Sequence, residues 1–122
     1  MRYLMIHKLD ESLPEAFNPS PDFIERMGAF MGEAQASGVL LAAEGVHQSS
    51  EGAIVRKGRN GLSVTDGPFT EAREVIGGFA LVKAADKAEA LELAKQFADL
   101  FPEVTVEVRR VFEEEDFGDQ SV

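Results

Sequence analysis

A chain of 122 residues, 44% of them hydrophobic, is long enough for one domain that holds its own core without a metal or a disulfide. It contains no cysteine, which excludes disulfides, Cys-ligated zinc and thiol catalysis, and fits a reducing compartment. Its net charge of −10 repels phosphate backbones, and its longest apolar runs, such as Val39 to Ala43, fall far short of a bilayer span. The expectation is a cytoplasmic protein with no nucleic-acid and no membrane partner.

Arg2 to Lys8 reads as the first strand, too short and too soon interrupted for a signal peptide. Tyr3, Met5 and His7 share one face, and Leu4, Ile6 and Lys8 the other. Both faces are apolar near the start, as in a central strand. Asp10 to Pro19 is a polar loop punctuated by proline. Ser20-Pro21-Asp22 then supplies an N-cap, a proline at the first helical position and an acid near the positive end of the dipole. Phe23, Met27, Phe30, Met31 and Ala34 follow at helical spacing, and Gly38 ends the helix.

Val39 to Val46 is the second strand, with Glu44 and His47 at its far end. Glu51 to Lys57 and Gly61 to Asp66 form a hairpin. Asn60-Gly61 predicts a type I′ turn with positive φ at both residues. Gly67-Pro68 makes a stiff corner, and Val75 to Ala84 is the next strand. Asp86 and Glu89 form a capping box for a second helix with the stripe Leu91, Ala94, Phe97, Ala98 and Phe101, stopped by Pro102. Val104 to Phe112 is the last strand. Residues 113–122 form an acidic tail, expected to fray.

The order is β-α-β, hairpin, β-α-β, with residues 2–46 and 74–112 as two copies of one unit. This predicts an α+β, ferredoxin-like fold in one domain over residues 1–112, its antiparallel sheet carrying both helices on one face. The other face stays open. Tyr3 and Met5 are expected on it, together with residues of the Val75 to Ala84 strand. Such a face predicts a homodimer, sheet on sheet, with a small-molecule pocket at the seam.

Asp66-Gly67-Pro68-Phe69-Thr70-Glu71, followed by Glu74-x-x-Gly77-Gly78-Phe79, resembles the YCII-related family, specifically its DGPF-type branch. Arg2-Tyr3-Leu4-Met5, Glu44-Gly45 and Val106-Glu107-Val108-Arg109 agree with it. The resemblance covers roughly residues 2–112. It implies a dimeric α/β barrel similar to those of muconolactone isomerases and small monooxygenases. It also implies a His–Asp pair as the catalytic unit of some members, dehalogenation of chlorinated lactones in others, and an association of DGPF-type proteins with extracytoplasmic-function sigma factors. Asp66 is the motif aspartate. The family's histidine is not matched, because Val39 and Leu40 occupy its region.

Asp66 therefore has two readings: a turn cap that accepts backbone N–H groups, or a general acid or base in the pocket. His7 and His47 are further catalytic candidates, each with a plain reading as a packed or exposed residue. Tyr3, Phe69, Gly78 and Arg109 are candidate substrate contacts, Gly78 by letting a ligand approach the backbone and Arg109 as an anion clamp. The two histidines lie 40 residues apart in no ligand motif, so no metal and no cofactor is expected. Two functions remain open. One is acid–base isomerase, lyase or dehalogenase chemistry. The other is a non-catalytic ligand-binding or regulatory module acting beside a sigma factor.

Overall fold

A computed structural model describes residues 1–121. Val122, the end of the acidic tail, lies outside the described residues. The elements run β1 (Arg2–Leu9), α1 (Pro21–Ala36), β2 (Leu40–Gly45), β3 (Ala53–Gly58), β4 (Gly61–Asp66), β5 (Val75–Lys83), α2 (Lys87–Ala98) and β6 (Thr105–Arg110). Short 3₁₀ segments cover Ser49–Glu51 and Glu114–Ser121.

Both helix starts obey their capping chemistry. Phe23 N–H donates to Ser20 Oγ at 3.1 Å, and Glu89 N–H donates to Asp86 Oδ1 at 2.9 Å. Gly38 closes α1 at φ 82°, the left-handed conformation that a residue without Cβ adopts freely.

Four strands form one antiparallel sheet in the order β2-β5-β1-β6. This is the ferredoxin-like α+β arrangement. β1 and β5 are central and carry most of the core. Tyr3, Met5, Ala80 and Val82 pack beneath Ala90, Ala94 and Phe97 of α2. Val106 and Val108 join them from β6.

This packing corrects the assignment of the open face. Tyr3 and Met5 face the helices and are buried. The alternation of β1 therefore leaves Leu4, Ile6 and Lys8 on the uncovered side, paired with Leu81, Phe79 and Ile76 of β5. Both sets are apolar, so the pattern of β1 alone did not distinguish its covered face from its open one.

The β3–β4 hairpin forms a separate two-stranded sheet. Gly58 pairs with Gly61, so Arg59 and Asn60 are the central turn residues. Only Gly61 takes positive φ, 105°, and the expected type I′ turn at Asn60-Gly61 is not formed.

The tail is tied down at least as far as Asp116. The Arg2 guanidinium donates to both Glu113 oxygens, at 3.0 and 3.2 Å, and Arg110 pairs with Asp116 at 3.0 Å. These partners hold the Glu113 and Asp116 carboxyls below the usual carboxylate range; for Asp116 the leading contribution is the Glu113 N–H. Among the described residues, no helix is long and apolar enough to cross a membrane.

Candidate active site

A cavity of about 980 Å³ opens at one end of the sheet on its helix-covered side. The C-terminal ends of β1 and β2, the start of β5, the first half of α1, the end of α2 and the loop 10–19 enclose it. Its walls are apolar: Leu13, Phe17, Phe23, Met27, Met31 and Phe101. α1 has no fully buried residue: Met27, Phe30 and Met31 pack against the core, and Phe23, Met27 and Met31 also line this cavity.

His7 stands in the wall of this cavity. β1 and β5 pair in register from Arg2↔Lys83 to His7↔Gly78; the next pair is Lys8↔Ile76, which makes Gly77 the extra residue of a β-bulge. The imidazole lies over that bulge. A Cβ at Gly77 would stand 2.8 Å from His7 Cδ2 and Nε2, and one at Gly78 would stand 2.7 Å from His7 Cε1. Only glycines leave room for the ring in this position. On its other side are Phe97 and Phe101, with ring centroids at 5.5 and 5.4 Å. His7 Nδ1 is buried and has no hydrogen-bond partner among the described residues. Desolvation lowers the His7 pKa from its ordinary value, so the imidazole is neutral at pH 7.

Carboxylates from Asp10, Glu15, Asp99 and Glu103 surround the apolar walls; Glu44 borders the cavity, but its pairing with Phe79 turns its side chain to the open sheet face. Ser12 N–H and Oγ–H both donate to Asp10 Oδ1, at 2.9 and 2.6 Å, and hold its carboxyl low. The one guanidinium in the lining, Arg26, is engaged by Asp22 at 3.0 Å and by the Leu100 carbonyl at 3.1 Å.

Asp66 is elsewhere. It is exposed at the end of β4, does not line the cavity, and its carboxylate accepts no hydrogen bond among the described residues. The neighbouring corner has a structural task. Ser49 is buried, donates its hydroxyl to Glu11 Oε1 and accepts the Phe69 N–H at 2.8 Å. Its own N–H donates to Glu11 Oε2 at 3.0 Å. Gly67 N–H donates to the Gly52 carbonyl at 2.8 Å, and Gly67 lies so close to the Ser49 carbonyl that no Cβ fits. The Gly67–Pro68 peptide is cis. Gly-Pro-Phe thus docks the base of the hairpin onto the Ser49–Gly52 turn.

The other expected contacts are dispersed. Tyr3 and Arg109 line a separate recess of about 520 Å³ beside Asp86 and Lys87. The Tyr3 hydroxyl donates to Met1 Sδ at 3.7 Å, and Arg109 pairs with Glu107 at 3.0 Å. Phe69 belongs to the corner just described. Gly78 touches His7 and the Glu44 carbonyl, so it seats the imidazole rather than a ligand. His47 is exposed one residue beyond the cavity lining. Among the described residues, no cluster of three His, Asp or Glu side chains is arranged to hold a metal.

A scan of protein-family models matches the YCII-related domain over residues 1–115. The chain belongs to the YCII-related family. No curated protein matches it. In this YCII-related protein the aspartate of the Asp-Gly-Pro-Phe motif and the histidine of the cavity are not brought together. Sequence reading missed the aromatic and methionine walls because an apolar helical stripe looks the same whether it meets a core or a cavity. The Gly77-Gly78 pair, placed across from His7 by the sheet register, was the available signal.

Proposed function

We propose that this YCII-related protein binds a small, largely apolar molecule in the 980 Å³ cavity and that His7 is its proton-transfer group. The observation that carries this reading is an imidazole in the cavity wall whose Nδ1 is buried without a partner, which leaves Nε2 as the ring nitrogen that can meet a ligand. A neutral imidazole takes a proton from a carbon acid, the electron pair moves onto the adjacent carbonyl, and the imidazolium returns the proton to the same carbon or, where a C=C is conjugated with the enolate, to the γ carbon at its far end. That is isomerase chemistry. The carboxylate rim, with Arg26 already engaged, favours uncharged or cationic substrates over carboxylate-bearing ones. The Asp-Gly-Pro-Phe motif supports a place in the DGPF-type branch.

The reading includes a homodimer. Ile76, Phe79, Leu4, Ile6 and Leu81 line the uncovered sheet face, and an apolar face of this kind favours association with a second copy. A second reading is a binding module without turnover, supported by the lack of any carboxylate bonded to His7 Nδ1.

The test follows exchange in D₂O at the carbon next to the carbonyl of uncharged five-membered lactones by proton NMR. N-phenyl-1-naphthylamine serves as a separate reporter of cavity binding. Exchange by the native protein, lost in His7→Gln with reporter binding kept, is expected. Reporter binding without exchange refutes the enzyme in favour of the binding module. No reporter binding refutes both.

A further inference from the structure

The β3–β4 hairpin has a composition of its own. Val55 pairs with Val64 and Lys57 with Leu62, which puts these four side chains on one face. Val55, Leu62 and Val64 are 64%, 72% and 65% exposed. Ala53–Asp66 holds three cations, Arg56, Lys57 and Arg59, against one carboxylate, Asp66, in a chain whose net charge is −10. Setting aside its +2 leaves the rest of the molecule at −12. None of the three cations makes an ion pair among the described residues. Two strands of six residues project about 20 Å, and an isolated two-stranded sheet is marginal in water.

We infer that this hairpin is an arm that embraces a second copy of the same chain. Its valine and leucine stripe lies along the open sheet face of the partner, where Phe79 and Ile6 form an apolar row bounded by Glu44 and Glu107. Lys57 and Arg59, at the tip, meet carboxylates of that copy. Glu107 already receives Lys8 and Arg109, whereas Glu44 is exposed and makes no ion pair among the described residues. Glu44 is therefore the carboxylate open to the arm. Complementary charge is what selects a second copy: a basic, apolar arm and an acidic body with an apolar face occur in the same chain. The corner that fixes the arm supports this role, since Gly67 and Phe69 clamp its base to Gly52 and Ser49.

The inference rests on the homodimer proposed above, and its test separates the two. Sedimentation at micromolar concentration gives the mass of the native protein, of Val55→Asp/Val64→Asp and of Arg56→Glu/Lys57→Glu/Arg59→Glu. Zero-length carbodiimide cross-linking of mixed light and ¹⁵N-labelled native protein locates Lys57. The expected result is a native dimer, monomeric variants with unchanged far-UV circular dichroism, and a Lys57 cross-link that joins light to heavy chains. A dimer that persists in both variants, with Lys57 linked only within its own chain, overturns the arm and leaves the dimer standing. A native monomer overturns both and points to a different protein as the arm's partner.

Discussion

Replacing Gly78 by alanine tests the seating of His7 directly. The new methyl would stand 2.5 Å from the Glu44 carbonyl oxygen, 2.7 Å from His7 Cε1 and 2.9 Å from Gly45 Cα. Two of these neighbours are backbone of β2, paired across the sheet, and they do not move without breaking the β2–β5 ladder. Overpacking of this kind costs about 1–3 kcal/mol, and rigid backbone neighbours place it at about 2–3. With an unfolding entropy near 2 cal/mol/K per residue, a chain of this size loses about 4 °C per kcal/mol, so Tm falls by about 10 °C. Calorimetry at pH 7 reads the shift. A variant within about 2 °C of the native protein would refute the close approach of β2, β5 and the imidazole. Gly77→Ala meets only side-chain atoms, His7 Cδ2 and Nε2 and Leu9 Cδ1, each at 2.8 Å. It is expected to cost less, about 1 kcal/mol, while displacing the imidazole from its site.

Ser49→Ala removes the acceptor of the Phe69 N–H and a donor to Glu11 inside a buried corner; a loss of about 1–3 kcal/mol is expected by urea unfolding, and no loss would contradict the clasp. Asp66→Asn changes an exposed carboxylate without a partner, so stability should stay within about 0.5 kcal/mol and any lactone exchange should persist; loss of exchange would restore Asp66 as the proton-transfer group. Stability should also depend on pH through His7. Its folded pKa is lowered, so between that value and the unfolded value near 6.5 the unfolded chain binds more protons, and stability falls as pH falls through this window. His7→Gln is expected to flatten that slope in thermal scans. Glu113 and Asp116, whose folded pKa values are also lowered, contribute stability that is lost at still lower pH and is kept in the variant.

Much of the fold was legible because local chemistry and fold agreed. Ser20-Pro21 and Asp86 mark helix starts that form where expected, and the two β-α-β units give the observed strand order. The faces of β1 were not legible. Tyr3, Met5 and His7 alternate with Leu4, Ile6 and Lys8, and both sets are apolar enough for a core; only the register with β5 and the burial of Ala80 and Val82 decide between them. The hairpin turn failed for a narrower reason. Asn60-Gly61 is a strong signal for type I′, yet the pairing of Gly58 with Gly61 moves the turn back by one residue.

The site was legible only in its parts. His7 stood out as a strand histidine, and Gly77-Gly78 as an unusual pair. Their meeting depends on an antiparallel register 70 residues apart and on a bulge that local sequence does not specify. The Asp-Gly-Pro-Phe corner drew attention to Asp66. In the structure the weight of that motif falls on Gly67 and Phe69, which fasten the hairpin, and the carboxylate is left in solvent.

Titration of the His7 imidazole by ¹H–¹⁵N correlation NMR tests the central claim most directly. The expected His7 pKa lies below 6.5, with His47 as the second resonance and His7→Gln to assign the pair. A His7 pKa at or above 6.5 would contradict it, because a solvated or carboxylate-paired ring is not the buried, unpartnered base on which the cavity's chemistry depends.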